Sequence, residues 1–403
     1  MPRDMFEKTH SLRRYGGHRV KFFAALAFAA LPALGFVRPV LSQAQTGPVP
    51  GAYYLALGDS LAVGVTADGV PADPGCISPT APGYVCVFYR YLQRLNPNLQ
   101  LKNLAESGAD SCVFAQGKGP GSPCADPLIS GTAPSQVAEA VQFINQHPGQ
   151  VTPISIDIGG NDLASVLLQG LSDPLGAIAK VPKTLTTIQT NLDSALQQLR
   201  AVDPNGEILV INQYNPIGGI GSPPLPSYAL PAVSSTMDNL SKIDRQEAAK
   251  YGAVYVDVRT AFDKYPNGAA SLTYVLSSAL SGNLSKVNIH PTPQGYAVYA
   301  KTVIDASGYQ APLVLHARLA SHSVRRGKTE SITGSSVPFD ALTLRIKRPR
   351  AVAQKVDSSV DEFGNLTLSF AVGKVPGRET ARLCVSAPNG AAHCHKAMRL
   401  TVR

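Results

Sequence analysis

The sequence predicts an α/β fold: a three-layer α/β/α sandwich around a five-stranded parallel sheet, followed by a small all-β module. Between residues 53 and about 306, five short apolar segments alternate with longer amphipathic segments. Strands separated by helix-length segments are typical of a parallel sheet that is covered on both faces. After about residue 311 the helical period disappears, and alternating segments between turn residues indicate a β-sandwich of ordinary size.

Each predicted element has its own sequence pattern. The strand-like runs are YYLALG, LQLKNLA, TPISIDIGG, EILVINQYN and AVYVDV. The helix-like segments are VFYRYLQRLNP, SQVAEAVQFINQH, PLGAIAKVPKTLTTIQTNLDSALQQLRAV, STMDNLSKIDRQEAAKYG and PQGYAVYAKTVIDAS. Three irregular inserts, at 66–82, 109–134 and 215–231, follow strand ends, so we expect them to cover the site and to shape substrate access. The glycines of the third insert lack the spacing of a phosphate-binding loop.

Charge is distributed unevenly along the chain. Residues 1–44 carry a net charge of +5, residues 45–311 of −5 and residues 312–403 of +9. We expect these ranges to be a signal peptide, the α/β domain and a basic β-sandwich-like module. The acidic balance of the central range argues against a nucleic-acid-binding protein. For the basic module two interpretations stay open: an anionic cell-envelope polymer as partner, or a solvated surface with no dedicated ligand.

The amino-terminal segment has the layout of a secretory signal. Basic residues up to Lys21 precede the apolar run FFAALAFAALPALGFV, and small residues follow near Ala44. A membrane span needs about 20 apolar residues, and this run has sixteen and contains Pro32. We therefore expect a cleaved signal peptide and a secreted protein, with an uncleaved membrane anchor as the alternative.

Cysteine usage agrees with export, because disulfides form in oxidising compartments. The six cysteines suggest three local pairs: Cys76 with Cys86, Cys112 with Cys124, and Cys384 with Cys394. Six cysteines allow 15 connectivities, so spacing alone does not fix the pairing. The HCH triplet at 393–395 raises a metal site as an alternative. A disulfide is the better interpretation outside the cytosol, and no metal is predicted.

Three predicted strands end in segments that bear candidate catalytic groups. These are Gly58-Asp59-Ser60, Ser107-Gly108 and Gly160-Asn161. Sites in parallel sheets form beyond the carboxyl ends of the strands, so we expect these segments to meet. A serine hydroxyl needs a neighbouring base to become a nucleophile. Of the eight histidines, His290 fits this role because it directly precedes the last amphipathic helix.

Four ordered blocks resemble the GDSL, or SGNH, hydrolases, a superfamily of esterases and lipases. They are GDSL at 58–61, NLAESG at 103–108, GGND at 159–162 and HPTPQGY at 290–296. The resemblance covers about residues 53–306. It implies a flavodoxin-like sheet, a Ser60 nucleophile with His290 as general base, and no cofactor. The GxSxG elbow of the α/β-hydrolases is absent, since Ala62 stands where its second glycine would be.

The resemblance also implies an oxyanion hole formed by the backbone N–H groups of Ser60 and Gly108 and the side-chain amide of Asn161. Asp59 and Asp162 are the adjacent candidates for an orienting role. The family usually places an Asp two or three residues before the histidine. Here Asn288 and Val287 occupy those positions.

This departure leaves the group that orients the imidazole open. We expect a Ser–His dyad in which Asn288 or a main-chain carbonyl holds the ring of His290. Asp257 and Asp305 are acids that could reach the ring from elsewhere in the chain.

We therefore expect a secreted serine esterase or lipase that hydrolyses a small-molecule, lipid or carbohydrate ester through an acyl-enzyme on Ser60. One alternative is a carbohydrate O-acetylesterase. Another is a surface-binding protein that keeps the hydrolase fold with weak catalysis, for which the missing Asp is the argument.

Overall fold

The computed structural model describes residues 48–403, apart from 68, 70–72, 125–127, 130, 171–172, 220–228, 276, 278–287, 350 and 387–391. The predicted signal peptide at 1–44 lies outside the described residues. Residues 45–403 cluster as one compact unit, which contains both the α/β region and the carboxyl-terminal β region.

The first sheet of this unit has five parallel strands. They are β1 (Tyr53–Gly58), β2 (Gln100–Asn103), β3 (Val151–Asp157), β4 (Ile208–Ile211) and β5 (Val254–Val256). Their order across the sheet is β2-β1-β3-β4-β5, and every neighbouring pair is parallel. This arrangement confirms the predicted α/β fold, with each strand inside or overlapping its predicted run.

Helices connect the strands. They are α1 (Ser60–Val63), α2 (Tyr84–Gln93), α3 (Ser111–Gln116), α4 (Gln136–Gln146), α5 (Gly160–Gly170), α6 (Pro174–Val202), α7 (Ala229–Lys250), α8 (Val258–Asp263), α9 (Ala269–Leu272) and α10 (Pro293–Ala306). In the part of the chain that the structure describes, none of the helices combines the length and apolar character needed to cross a bilayer.

Two predicted irregular inserts contain helical residues. Helix α7 begins at Ala229, inside the stretch 215–231 that was expected to be irregular. Pro231 lies in its first turn, where a missing backbone N–H costs no helical hydrogen bond. Helix α3 lies inside the insert 109–134, and the Asp110 side chain caps it by accepting a hydrogen bond from the N–H of Val113 at 2.8 Å. Short polar caps of this kind start helices without an apolar period.

The core lies on both faces of the parallel sheet. Alternate residues of β1 point in opposite directions, so Tyr54 packs into the cluster beneath α2 and α10, while Leu55 and Leu57 pack into the cluster beneath α4 and α6. All three side chains are fully buried. Burial on both faces explains why the run YYLALG is almost continuously apolar.

The carboxyl-terminal region is all-β, as predicted. Its strands are β6 (His316–Leu319), β7 (Ser323–Val324), β8 (Thr329–Ser335), β9 (Ala341–Arg348), β10 (Ala351–Ser359), β11 (Asn365–Ala371), β12 (Gly377–Ser386), β13 (Ala392–Cys394) and β14 (Met398–Val402). One sheet has the order β10-β9-β12-β14-β7, with β13 beside β12, and the other has the order β11-β8-β6. Side chains from both sheets share one apolar core, so the two sheets form a sandwich.

The three predicted disulfides are present. Cys76 pairs with Cys86, Cys112 with Cys124, and Cys384 with Cys394. The first ties the insert 66–82 to α2, the second closes the insert that contains α3, and the third links β12 to β13. Among the described residues no group of three or more His, Cys, Asp or Glu side chains is arranged to hold a metal ion.

A buried amide holds the end of the central strand β1. The side chain of Gln136, at the start of α4, accepts a hydrogen bond from the N–H of Gly58 and donates one to its carbonyl, both at 2.8 Å. Gln136 is 2% exposed. Buried backbone groups without partners are costly, and this side chain supplies the partner of the Gly58 N–H and shares the Gly58 carbonyl with the N–H of Glu106, which lies at 3.2 Å.

We predict that Gln136→Leu lowers the free energy of unfolding by about 1–3 kcal/mol, since the buried N–H of Gly58 loses its partner while its carbonyl keeps the bond from the N–H of Glu106 at 3.2 Å. The measurement is urea denaturation followed by circular dichroism. Gln142→Leu, the same change at an exposed position of α4, is the matched control and should shift stability by less than about 0.5 kcal/mol. Equal midpoints for the two variants would refute the role given to Gln136.

Candidate active site

Ser60 lies at the carboxyl edge of the parallel sheet. It follows β1 by two residues and is the first residue of α1. The Asp59 carboxylate caps this helix by accepting a hydrogen bond from the N–H of Leu61 at 2.9 Å. Gly58 has φ of +142°, and a Cβ there would collide with oxygens of Asp157. The turn that presents Ser60 therefore requires glycine at position 58.

His290 reaches Ser60 from the far end of the chain. Its Nε2 lies 2.9 Å from the Ser60 Oγ, across a separation of 230 residues. The backbone around the ring is held on both sides: the Tyr214 hydroxyl donates to the carbonyl of Ile289 at 2.6 Å, and the N–H of Tyr274 donates to the carbonyl of His290 at 3.0 Å. Burial lowers the pKa of His290 to about 4, so the imidazole is neutral at pH 7.

The Asn288 side chain contacts the other ring nitrogen of His290. Its Oδ1 lies 2.7 Å from Nδ1 of His290 and also accepts the backbone N–H of His290 at 2.9 Å. Its Nδ2 donates to the carbonyls of Thr66 at 3.1 Å and Ala67 at 2.9 Å. An N–H faces one end of the amide and two carbonyls face the other, so only one amide orientation satisfies the network. Nδ1 of His290 therefore carries the hydrogen, and Nε2 is left to accept one from Ser60.

The two acids considered as alternative orienting groups are engaged elsewhere. Asp257 caps α8 through the N–H of Thr260 and also accepts from the Asn212 amide, both at 3.0 Å. Asp305 pairs with Lys301 on the exposed side of α10.

The segments after β2 and β3 meet beside Ser60. Gly108 adopts φ of +90°, a conformation that favours glycine. The Asn161 Nδ2 donates to the carbonyl of Ala109 at 2.9 Å and lies 3.4 Å from the Asp59 Oδ2. Asn161 therefore links the turn at Gly108 to the turn that carries the serine.

Asp162 joins α5 to α3 one residue further on. Its carboxylate accepts the hydroxyl of Ser111 at 2.6 Å and the N–H of Ser111 at 2.8 Å. The Asn191 amide of α6 donates to the same hydroxyl at 3.0 Å. Burial raises the pKa of Asp162 to about 7, and the bonds from Ser111 oppose that rise. This network fixes the segment that follows Gly108 relative to Asn161.

A buried acid that was not predicted from the sequence, Asp157, contacts the residue before the serine. The backbone N–H of Asp59 donates to the Asp157 Oδ1 at 3.2 Å, and both side chains are buried. Burial raises the pKa of Asp59 to about 7. Burial and the adjacent Asp59 together raise the pKa of Asp157 well above its usual range, so the pair retains a proton at pH 7. The sequence feature that could have revealed Asp157 is a charged residue inside the strand-like run TPISIDIGG.

Two of the three inserts, 66–82 and 109–134, contact this edge, and residues 220–228 of the third insert lie outside the described residues. Leu128, which is 46% exposed, packs onto Gly108. The hydroxyl of Tyr296 donates to the carbonyl of Val65 at 2.8 Å, so α10 holds the segment whose carbonyls bind Asn288. The start of the insert 66–82 is thus part of the site's framework.

Known proteins resemble this chain over the α/β region. The profile of the GDSL-like Lipase/Acylhydrolase family matches residues 56–298. Among solved structures, phospholipase A1 from Streptomyces albidoflavus NA297 is 22% identical, with 64% of this chain and 100% of that chain covered and a TM-score of 0.45.

Two further solved structures have a similar sequence identity, coverage and TM-score. An extracellular lipase from Streptomyces rimosus is 20% identical over 64% of this chain and 100% of its own, with a TM-score of 0.46. A catalytic mutant of an acetylxylan esterase from Geobacillus stearothermophilus is 18% identical over 66% and 97%, with a TM-score of 0.42. Comparison with curated proteins finds no match. The family profile spans more than half of the chain, and the chain belongs to the GDSL-like lipase/acylhydrolase family.

Proposed function

We propose that this protein hydrolyses carboxylic esters through an acyl-enzyme formed on Ser60. The observation that carries the proposal is the pair of contacts at His290: Nε2 at 2.9 Å from the Ser60 Oγ and Nδ1 at 2.7 Å from the Asn288 Oδ1. A neutral imidazole held in this tautomer is poised to accept the serine proton.

The reaction would follow the usual course of acyl transfer. Ser60 Oγ attacks the ester carbonyl carbon while its proton moves to Nε2 of His290. The tetrahedral intermediate collapses as the imidazolium returns this proton to the leaving alkoxide, which departs as the alcohol. A water then attacks the acyl-enzyme with His290 again as base, and Ser60 is regenerated on release of the acid.

We assign the developing oxyanion to the backbone N–H groups of Ser60 and Gly108 and to the amide of Asn161. The support is geometric. The bond to the Ala109 carbonyl orients one hydrogen of the Asn161 amide, and the second lies towards Asp59, at a longer distance of 3.4 Å. An oxyanion beside Ser60 would be a stronger acceptor for this second hydrogen.

We propose that Asn288 does the work of the family's orienting Asp. In another serine hydrolase, replacing that Asp by Asn lowers turnover by about 10⁴ because the amide selects the wrong tautomer. Here the two carbonyls at Thr66 and Ala67 turn the amide oxygen towards His290, so the correct tautomer is kept. The neutral amide gives the imidazolium less electrostatic stabilisation than a carboxylate would.

We predict that Ser60→Ala lowers turnover of p-nitrophenyl esters by at least about 10³-fold. The full chain is assayed on acyl chains of increasing length, with Ser194→Ala, an exposed change on α6, as the control. Highest kcat/KM on acetyl esters would favour the O-acetylesterase alternative, and highest values on long chains a lipase. Absence of Ser60-dependent turnover on every ester would leave the surface-binding interpretation standing.

The low pKa of His290 predicts activity in mild acid. The base must be neutral in the free enzyme, so kcat/KM should stay level as the pH falls through 6.5, the usual pKa of histidine, and should decline near pH 4. Circular dichroism over the same range separates this decline from unfolding. Because Asp59 and Asp162 also titrate near pH 7, the imidazole of His290 is followed directly by NMR, and its protonation at pH 6 to 7 with the fold intact would contradict the buried, neutral ring.

Substitutions at Asn288 test its positioning role. Asn288→Ala should lower kcat by roughly 10²-fold with KM little changed, as expected for a misoriented base. Asn288→Asp should not exceed wild-type activity, because a carboxylate oxygen would face the carbonyls of Thr66 and Ala67. Its negative charge should also raise the pKa of His290 and move the acidic limb to higher pH.

The exposed change Asn98→Ala is the control for loss of an amide. Wild-type kcat in Asn288→Ala, or a large gain in Asn288→Asp, would show that Asn288 does not orient His290.

A further inference from the structure

The six-stranded sheet of the carboxyl-terminal region carries a row of cations in direct register. Lys355 on β10 lies opposite Arg345 on β9, and Arg345 lies opposite Arg382 on β12. Residues directly opposite in neighbouring strands have side chains on the same face, about 5 Å apart. Three positive charges therefore lie side by side across three strands.

A second row extends the pattern. Two residues along β9, Lys347 lies opposite Thr380, which in turn lies opposite Arg399 on β14. Arg378 lies two residues before Thr380 on β12 and therefore shares its face. We call this set the cationic face: Lys355, Arg345, Arg382, Lys347, Arg399 and Arg378.

This face is turned to solvent. All six of its cations are exposed, whereas the alternating residues Leu344, Ile346 and Leu383 are fully buried in the sandwich core. Among the ion pairs of the described residues, one involves this face: Lys355 with Asp357, at 2.8 Å. The other five cations form no ion pair within the described part of the chain, and Arg345 also attracts the carboxylate of Asp357, which lies on the same face of β10.

The row of cations lowers the stability of the strand pairing, because like charges directly opposite each other in a sheet repel. A partner that supplies negative charge at matching intervals, about 5 Å across the strands and about 7 Å along them, would relieve this repulsion.

We propose that the cationic face binds an acidic polysaccharide, a chain with repeated carboxylate or sulfate groups. Between the cations the outward positions on β9, β12 and β14 are Thr343, Thr380 and Thr401. The Thr343 hydroxyl donates to Asp357 at 2.8 Å, and the hydroxyls of Thr380 and Thr401 suit sugar hydroxyls. None of these positions holds an aromatic residue on which a nucleic-acid base would stack. None holds a large apolar residue that would enter a bilayer.

The test measures binding of the full chain to immobilised heparin and to polygalacturonate, with neutral dextran as the uncharged reference. The variant Lys355→Gln/Arg345→Gln/Arg382→Gln should bind both acidic polymers at least roughly tenfold more weakly, since each exposed charge pair contributes modestly. The control variant Lys183→Gln/Lys242→Gln/Lys264→Gln removes three exposed cations of the α/β region and should bind within about twofold of wild type. Wild-type binding should weaken as salt is raised from 50 to 500 mM.

A single charge reversal separates loss of binding from loss of fold. Arg382→Glu places an acid directly opposite Arg345, so the thermal midpoint should stay level or rise while binding falls. The proposal is overturned if the triple variant on the cationic face binds like wild type, or if dextran binds equally well. It is also overturned if duplex DNA or anionic phospholipid vesicles bind more tightly than both polysaccharides at equal salt.

Discussion

The site depends on the parallel register of three strands. Gly58 at the end of β1 pairs with Asp157 at the end of β3, and Ala56 pairs with Asn103 at the end of β2. The strands run in one direction, β1 and β3 end level with each other and β2 ends two residues earlier, so the turns that follow them lie at the same edge of the sheet. Both faces of β1 are buried, so a slip of one residue would exchange the side chains of its two faces and place Tyr54 on the side where Leu55 and Leu57 pack. Core packing and site geometry are therefore fixed by the same pairing.

An amide can replace the carboxylate of a catalytic triad when its far end is constrained. The tautomer of His290 is set by which atom faces Nδ1, and that atom is set by the acceptors at the amide's other end. Thr66 and Ala67 supply two such carbonyls, and α10 fixes the preceding residue, Val65. Asn288 lacks the negative charge of the family's usual Asp, and in a buried site that charge would stabilise the imidazolium. Burial lowers the pKa of His290, and the neutral amide of Asn288 adds no charge that would oppose this shift.

The fold and much of the candidate site were predictable from the sequence, and the parts that were not depend on tertiary contacts. Strand and helix order, the three disulfides and the location of the four blocks follow from local patterns. The orientation of Asn288 does not, because it depends on backbone carbonyls some 220 residues away. The clamp of Gln136 on Gly58 and the buried acid pair of the site are likewise tertiary: a lone glutamine or aspartate has no periodic signal. The start of α7 at Ala229 was not predicted, because a proline such as Pro231 breaks a helix unless it lies in the first turn.

The charge division of the chain bears on how an acidic polymer would meet the enzyme. Residues 45–311 carry a net charge of −5, and residues 312–403 carry +9. Electrostatic attraction to a polyanion would therefore act on the carboxyl-terminal module and not on the α/β region. The two regions lie in one compact unit. Binding of a polymer to the cationic face would therefore raise the effective concentration of Ser60 near esters on or beside that polymer. If both proposals hold, the module would set where the reaction occurs, and the inserts around Ser60 would set which ester is cleaved.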